Sequence, residues 1–385
     1  MSAKTSILHP TRELLSTWRE GDAEKVLAMI DRSDATFPGG GGWQEDAEEI
    51  ERWLRHGDQI AAYVTEEGDR IVALCTLMVR PDQLEGSYIE LLICDPEFHG
   101  KKHGKSVLHA VVEHVYRAGI GKVDLGTWAG NMKAVPLYKR TGFMWQPGSC
   151  VHMENFTPAA RQHPLGAPFF ARHDWYSDLQ RPVDLVEDLV TRGKVKVYEY
   201  LWRAADGDFL RMVFDRQSWR PIEVETPELT ACVTLPDEKL VAGQPHRVKW
   251  QITNSKSKPV QVFLAARGEP GMEIAHRQSL ELSGSAAMEA QVTVDPEIVE
   301  KTRPPRAAVL TTELMFGNRE IELAAGIDVV QAVEISIEGP RALILPTEPQ
   351  QARLTLRSHL DRKCVAQLRL RPVHNLELKR RSVRV

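Results

Sequence analysis

Apolar positions in residues 1–157 switch between a helical period and the two-residue alternation of strands. Helical spacing over 22–30 and 45–54 predicts two helices, and Pro38-Gly39-Gly40-Gly41-Gly42 between them must be a loop. Segments 60–65 and 70–79 predict a hairpin turning at Glu67-Gly68-Asp69, followed by a strand over 88–94. From Lys105 onward, Val107, Leu108, Val111, Val112 and Val115 fall on one helical face. His109 and His114 are expected on the surface of that helix. A strand over 122–128 and a short helix through 137–140 complete the stretch. The long helical crossover forces one parallel pairing, so the expected class is α+β, a mixed sheet with flanking helices.

Beyond residue 157 the texture changes. Pro158, Pro164 and Pro168 predict a linker, 174–191 a helix interrupted at Pro182, and 195–202, 208–215 and 220–225 three strands. Residues 158–228 are therefore expected to be a small α+β connecting module without chemistry of its own. From Leu229 the pattern is all-β, with strand-like runs between Gly, Pro, Asn and Ser turns, as in an immunoglobulin-like β-sandwich over 229–332. Ala231, Val233, Trp250 and Ile252 align without gaps to Ile335, Ile337, Leu354 and Leu356, at a constant offset of 104 residues. A partial second repeat is expected over 333–385. Half a sandwich exposes an apolar face, which points to packing on the first sandwich, to another chain, or to a protein continuing past Val385.

Composition narrows the classes. A chain of 385 residues is expected to hold two or three domains. A formal net charge of −4 gives no reason to expect nucleic acid as a partner. The basic tail Lys379, Arg380, Arg381 and Arg384 reads as a solvated terminus. No apolar run reaches bilayer length and none follows the first residues as in a signal peptide, so neither a membrane partner nor export is expected. Cys75, Cys94, Cys150, Cys232 and Cys364 are scattered singly, which argues against a disulfide framework or a zinc site. The expected location is the cytoplasm, with no metal.

Two short stretches carry candidate chemistry. Ile93 and Cys94 end an apolar strand, and His99-Gly100-Lys101-Lys102-His103-Gly104-Lys105-Ser106 form a Gly/Lys-rich turn opening the next helix. Amides at a helix N-terminus cradle a pyrophosphate, Gly100 and Gly104 permit close approach, and Lys101, Lys102 and Lys105 add charge. A pantetheine arm is a chain of amides and needs the backbone groups a strand offers where its neighbour splays away. In the second stretch, Asn131 lies in a strand-to-helix loop, Pro136 suits the first turn of a helix, and Gly142 stops it. Leu137 and Phe143 are expected on the core, with Tyr138 pointing elsewhere. The rival for the first stretch is a P-loop, whose end Gly104-Lys105-Ser106 fits while residue 99 is His where its opening glycine belongs. A strand-to-helix turn with solvated lysines is the other alternative.

In this order and at this spacing, the two stretches resemble the acetyl-CoA site of the GNAT acyltransferase superfamily. Asn131, Ala134, Leu137, Tyr138, Gly142 and Phe143 match all six fixed positions of the family's Asn-x-x-Ala-x-x-Leu-Tyr-x-x-x-Gly-Phe ending. The turn departs from the family's Arg/Gln-x-x-Gly-x-Gly/Ala at His99 and Lys102 and keeps Gly104. A positive φ at Lys102 would strain it. The resemblance covers residues 1–157 and implies acetyl-CoA as cosubstrate, bound by Ile93, Cys94, the turn from His99 to Ser106, and Asn131. It implies direct acetyl transfer to an amine, with Tyr138 facing the thioester sulfur as general acid. For the base, Glu90 is expected on the strand face of residues 92 and 94; a carboxylate paired with a nearby Lys or Arg, or no dedicated base, are the alternatives. The glycine run with Trp43 is either an acceptor-side lid or a plain loop. Two other functions remain: a degenerate GNAT-like module that binds CoA without turnover, and a surface-binding protein led by its β-sandwich. The β-rich half is expected to mediate contacts or self-association.

Overall fold

The computed structural model describes residues 11–14, 22–33, 46–79, 86–188, 190–192, 195–235, 239–296, 308–339, 353–360, 365, 367–369 and 382–384. The glycine run, Trp43, Cys364, Lys379, Arg380 and Arg381 lie outside them. Strands β1 (Thr11–Leu14), β2 (Gln59–Glu67), β3 (Arg70–Val79), β4 (Gly86–Cys94), β5 (Lys122–Gly126), β6 (Met144–Trp145) and β7 (His152–Asn155) form one sheet. Their order is β1-β2-β3-β4-β5-β7-β6. Helices α1 (Asp22–Ser33) and α2 (Ala47–Leu54) cover one face, burying Ala62, Val64, Leu74, Leu91 and Ile93. Helices α3 (His103–Arg117) and α4 (Ala134–Arg140) cover the other, with Ala61, Tyr63, Cys75 and Ile89. Adjacent residues such as Tyr63 and Val64 thus serve opposite cores, as strand alternation requires. A capping box between Asp46 and Glu49 starts α2. The α3 crossover brings β4 and β5 together in parallel.

The segment after β7 departs from expectation. Helices α5 (Thr157–Gln162) and α6 (Gly166–Phe170) stand where prolines predicted a linker, and Pro158 sits in the first turn of α5, where its missing N–H costs nothing. The helix expected over 174–191 does not form. The Asp174 carboxylate accepts from the amides of Tyr176 and Ser177 and from the Ser177 hydroxyl, a turn that competes with helix. Strands β8 (Leu179–Gln180) and β9 (Val190–Arg192) follow.

The β-rich half has two facing sheets. Its strands are β10 (Val195–Arg203), β11 (Phe209–Asp215), β12 (Pro221–Thr226), β13 (Leu229–Thr234), β14 (Lys239–Val241) and β15 (Pro245–Asn254). Then come β16 (Val260–Gly268), β17 (Met272–Glu273), β18 (His276–Leu282), β19 (Ser285–Val294), β20 (Ala308–Phe316) and β21 (Arg319–Val330). One sheet runs β17-β19-β15-β13-β12-β11-β10-β8, with β9 on β10, and the other β14-β21-β20-β16-β18. Trp202, Trp250, Leu264, Leu310 and Phe316 share the core between them. The boundary expected at 228/229 falls in the turn joining β12 to β13, and the sheet crosses it unbroken through the Thr226–Leu229 pair. That at 157/158 falls inside α5.

Met144, Phe156 and Ala160 belong to the same core, so the last strands of the first sheet are seated on the β-rich half. Between them lies a buried ionic cluster. The Lys122 ammonium is 2.9 Å from Asp124 Oδ2 and 3.3 Å from Glu154 Oε1, and the Tyr198 hydroxyl donates to Glu154 Oε2 at 2.8 Å. Asp215, 1 % exposed, accepts from the amides of Gln217, Ser218 and Gly326 and so ties the end of β11 to β21. A methyl on Gly326 would lie 2.8 Å from Asp215 Oδ2 and 2.9 Å from the Ser218 amide.

The sequence repeat has a structural counterpart. Ala231 pairs with Ile252 and Val233 with Trp250 between β13 and β15. Strands β22 (Val333–Glu338) and β23 (Arg353–Ser358) pair Ile335 with Leu356 and Ile337 with Leu354, the same register moved along the chain. Strands β24 (Gln367–Arg369) and β25 (Ser382–Arg384) form a further pair.

Candidate active site

The site begins with an irregularity in β4. Its register with β3 jumps between Cys75 and Leu77, so Glu90 and Leu91 together face Thr76. The Leu91 amide donates to Thr76 Oγ1 at 3.1 Å in place of a backbone carbonyl. Such a bulge bends a strand, and the parallel pairing with β5 ends at Ile89–Leu125, just before it. From Glu90 to Cys94 no described strand pairs with β4 on that side. The Asp95 amide donates to the Val72 carbonyl at 2.9 Å, which fixes the alternation: Ile93 directs its peptide groups at β3, and Leu92 and Cys94 direct theirs into the gap.

The α3 N-terminus closes one end of this gap. Gly100 and Lys102 both have positive φ, +82° and +72°. The strain anticipated at Lys102 is therefore present, at about 1–2 kcal/mol relative to glycine. The N-cap residue Lys102 gives α3 no side-chain cap, and the positive end of the helix favours an anion there. Gly104 brings that turn close to Cys94, a Cβ on it lying 4.0 Å from the Cys94 Cβ. Burial pushes the Cys94 thiol up to about 11, against the opposing hydrogen bond from the Gly104 backbone.

The turn's side chains divide. His99 Nε2 lies 3.1 Å from the Cys94 carbonyl, so it carries the proton and occupies one of the groups directed into the gap. Lys101 rests over the Phe98 ring at 4.2 Å, and Lys105 over Tyr176 at 3.8 Å. His103 is buried edge-to-face against Phe98, with Nε2 3.3 Å from Glu67, so its backbone alone is offered to the cradle. Ser106 is buried, its amide donating to the Lys102 carbonyl inside the first turn.

Tyr138 is buried, its ring 5.9 Å from that of Phe143, in the core that also holds Cys75 and Leu92. Burial raises its phenol above the ordinary range, with Cys75 and Tyr88 adding to the rise. Asn131 Oδ1 accepts from the Ala134 amide at 3.2 Å and its Nδ2 donates to Thr127 Oγ1, so the side chain braces the start of α4. Glu90 is exposed and accepts from Trp53 Nε1 at 3.0 Å and Gln59 Nε2 at 3.2 Å. The bulge separates it from Leu92 and Cys94, which pack on the α3 side, while Trp53 packs with α1 and α2. The shared face expected for 90, 92 and 94 is lost for that reason.

Sequence reasoning missed Thr76, Trp53 and Gln59. A lone hydroxyl within the apolar run of β3 was the available signal for Thr76; nothing local marked the other two. The two histidines expected on the α3 surface are covered. His109 lies 4.3 Å from the Tyr176 ring and 5.1 Å from Trp175, with its pKa lowered to about 4, chiefly by burial and then by Lys105. His114 Nδ1 meets the Tyr63 hydroxyl at 2.9 Å. Asp124, His152 and Glu154 form a cluster of metal-ligating type among the described residues. The Lys122 ammonium already supplies the positive charge between its two carboxylates. No helix among the described residues is long and apolar enough to cross a membrane.

The acetyltransferase (GNAT) family matches residues 26–143, and the chain carries a GNAT acetyltransferase domain there. Mycothiol acetyltransferase from Geodermatophilus obscurus is 29% identical over 135 residues, 33% of this chain and 43% of that protein. An uncharacterized N-acetyltransferase from Methanocaldococcus jannaschii is 26% identical over 96 residues, 24% of this chain and 42% of that protein. The chain thus spans less than half the length of these curated relatives. Among solved structures, PaiA N-acetyltransferase from Thermoplasma acidophilum in complex with coenzyme A matches over 38% of this chain and 98% of its own, at 20% identity and TM-score 0.29. The ribosomal-protein-S18-alanine N-acetyltransferase from Escherichia coli matches over 37% and 93%, at 15% identity and TM-score 0.29.

Proposed function

We propose that the N-terminal unit binds acetyl-CoA along the open edge of β4 and transfers its acetyl group to an amine. The observation that carries this is the gap itself. A bulge at Glu90–Leu91 ends the pairing with β5, leaves the peptide groups of Leu92 and Cys94 facing outward, and places them beside the uncapped α3 N-terminus. A chain of amides ending in a pyrophosphate has the right sequence of donors and acceptors for that edge and that helix end. Acetyl-CoA supplies the activated acyl group; the protein holds it and manages protons.

Tyr138 is held protonated by burial, so it enters as a hydrogen-bond donor to the departing sulfur. Burial also pushes the neighbouring Cys75 thiol upward, so a thiolate released in these surroundings would be far more basic than in water. On the α2 side, Glu90 is oriented by two neutral donors and is exposed to an incoming amine, where it would accept the proton directly or through water.

A second function, CoA binding without turnover, is favoured by the His99 contact with the Cys94 carbonyl, which takes one of the groups in the gap. Thiol release from acetyl-CoA with a panel of amines separates the two. Catalysis predicts amine-dependent release that falls by about 10²–10⁴-fold in Tyr138→Phe with CoA affinity unchanged. Saturable CoA binding without release under any amine leaves the binding module, and no saturable binding defeats both.

A further inference from the structure

The segment between α6 and β9 lies against the GNAT domain rather than away from it. Trp175 and Leu185 pack on the core shared by α3 and α4. The Lys139 ammonium, in α4, is fully buried, donating to the Val186 carbonyl at 2.6 Å and lying 3.4 Å from Asp184 and Asp188. Arg181 donates to the Phe143 carbonyl at 2.6 Å and to Asp188 at 3.0 Å. These contacts hold residues 174–188 across the outer ends of both helices.

An open pocket of about 210 Å³ lies between this segment and the end of α4, lined by Arg140, Tyr176, Ser177, Leu179, Arg181 and Val183. Two guanidinium groups line it and no carboxylate does. Arg181 is 5 % exposed, yet its buried Nε has no hydrogen-bond partner among the described residues. The Tyr176 ring on its wall also carries the ammonium of Lys105, a residue of the first turn of α3, at 3.8 Å.

We propose that residues 174–183, outside the GNAT domain, build the subsite for the 3′-phosphoadenosine end of CoA, with the exposed Arg140 on the 3′-phosphate, the buried Arg181 adding positive charge behind it, and Tyr176 against the adenine. The inference rests on the acetyl-CoA function proposed above. With the pyrophosphate at the α3 N-terminus, the nucleoside must leave along the protein surface from there. Lys105, in the first turn of α3, sits on Tyr176, and Tyr176 lines the same pocket as Arg140 and Arg181. Guanidinium groups bind phosphate with charge-assisted, paired hydrogen bonds, and a phenol ring offers a stacking face.

Titration calorimetry on the full chain with CoA, 3′-dephospho-CoA and 4′-phosphopantetheine tests this, comparing wild type with Arg140→Gln, Tyr176→Ala and Tyr176→Phe. Wild type is expected to prefer CoA to dephospho-CoA about tenfold or more. Arg140→Gln should bring that ratio close to one, because Arg140 is exposed at the end of α4 and acts on the phosphate alone. Tyr176→Ala should weaken CoA and dephospho-CoA alike by about tenfold, and Tyr176→Phe should restore both. Binding of 4′-phosphopantetheine should be unchanged in all three, which also shows that they are folded. A wild-type CoA preference retained in Arg140→Gln together with unaltered affinity in Tyr176→Ala overturns the subsite while leaving the cofactor gap standing. Failure of wild type to bind CoA or 4′-phosphopantetheine overturns the proposed function and the subsite together.

Discussion

β4 and β15 are both interior strands, and they are treated differently. β15 is hydrogen-bonded on both sides, to β13 and β19, and from 249 to 253 every residue has a partner on each. β4 loses its second neighbour at Ile89 and runs on to Cys94 with one side open. A strand with free peptide groups is either a liability or a binding edge, and here the open side meets an uncapped helix end rather than bulk solvent. The lesson is that the β-rich half is closed around its core, while the N-terminal unit keeps one seam unpaired beside its candidate chemistry.

The comparison breaks most severely where the closed half is touched. Gly326→Ala drives a methyl into Asp215 and the Ser218 backbone, and should cost about 1–3 kcal/mol or more in denaturant unfolding, with CoA affinity unchanged. Acid should act on both halves. The imidazoles of His109 and His163 are pushed down to about 4, chiefly by burial, so each is neutral when folded and binds a proton more readily when unfolded. Their contribution is complete above the unfolded value of about 6.5 and is lost as pH falls toward 4, by up to about 3 kcal/mol each. Thermal melts across that window should show the loss, and His163→Gln should flatten it. His163 joins the halves, its Nε2 meeting the Glu322 carbonyl at 3.0 Å while its Nδ1 accepts from the Leu165 amide.

Smaller changes probe the seam. Thr76→Val removes the acceptor of the Leu91 amide and should cost about 1–2 kcal/mol, while weakening CoA binding because the bulge holds β4 away from β5. Calorimetry alongside unfolding distinguishes this from Gly326→Ala, which should move stability alone. Lys102→Gly relieves the left-handed residue before α3 and should raise stability by about 1 kcal/mol, with CoA affinity within a few-fold of wild type. A stability loss there would mean that the lysine side chain contributes more than its backbone strain costs.

Periodicity made the strands and helices of both halves legible, and even the pairing register of the repeat. It could not show what each strand is buried against. Ala231 and Val233 are buried in the two-sheet core, whereas their counterparts Ile335 and Ile337 are 51 % and 65 % exposed. Pairing is decided between neighbours, but burial needs a second layer that no local pattern encodes. The candidate site divides in the same way. The turn from His99 to Ser106 and the Tyr138 helix announce themselves as short motifs. The bulge that opens the gap comes from one threonine acting across strands, and the connecting segment reaches α3 and α4 through Trp175, Tyr176 and Arg181, which carry no motif. The missed turn at Asp174 has the same origin: its side chain captured amides that helical spacing had assigned to the backbone.

The most direct measurement is amide hydrogen exchange on the full chain with and without saturating CoA. The open-edge account predicts slowed exchange at the amides of Leu92 and Cys94 and in the first turn of α3, with β15 unchanged. Saturable CoA binding that leaves residues 90–94 and 103–106 exchanging as in the free protein would contradict it.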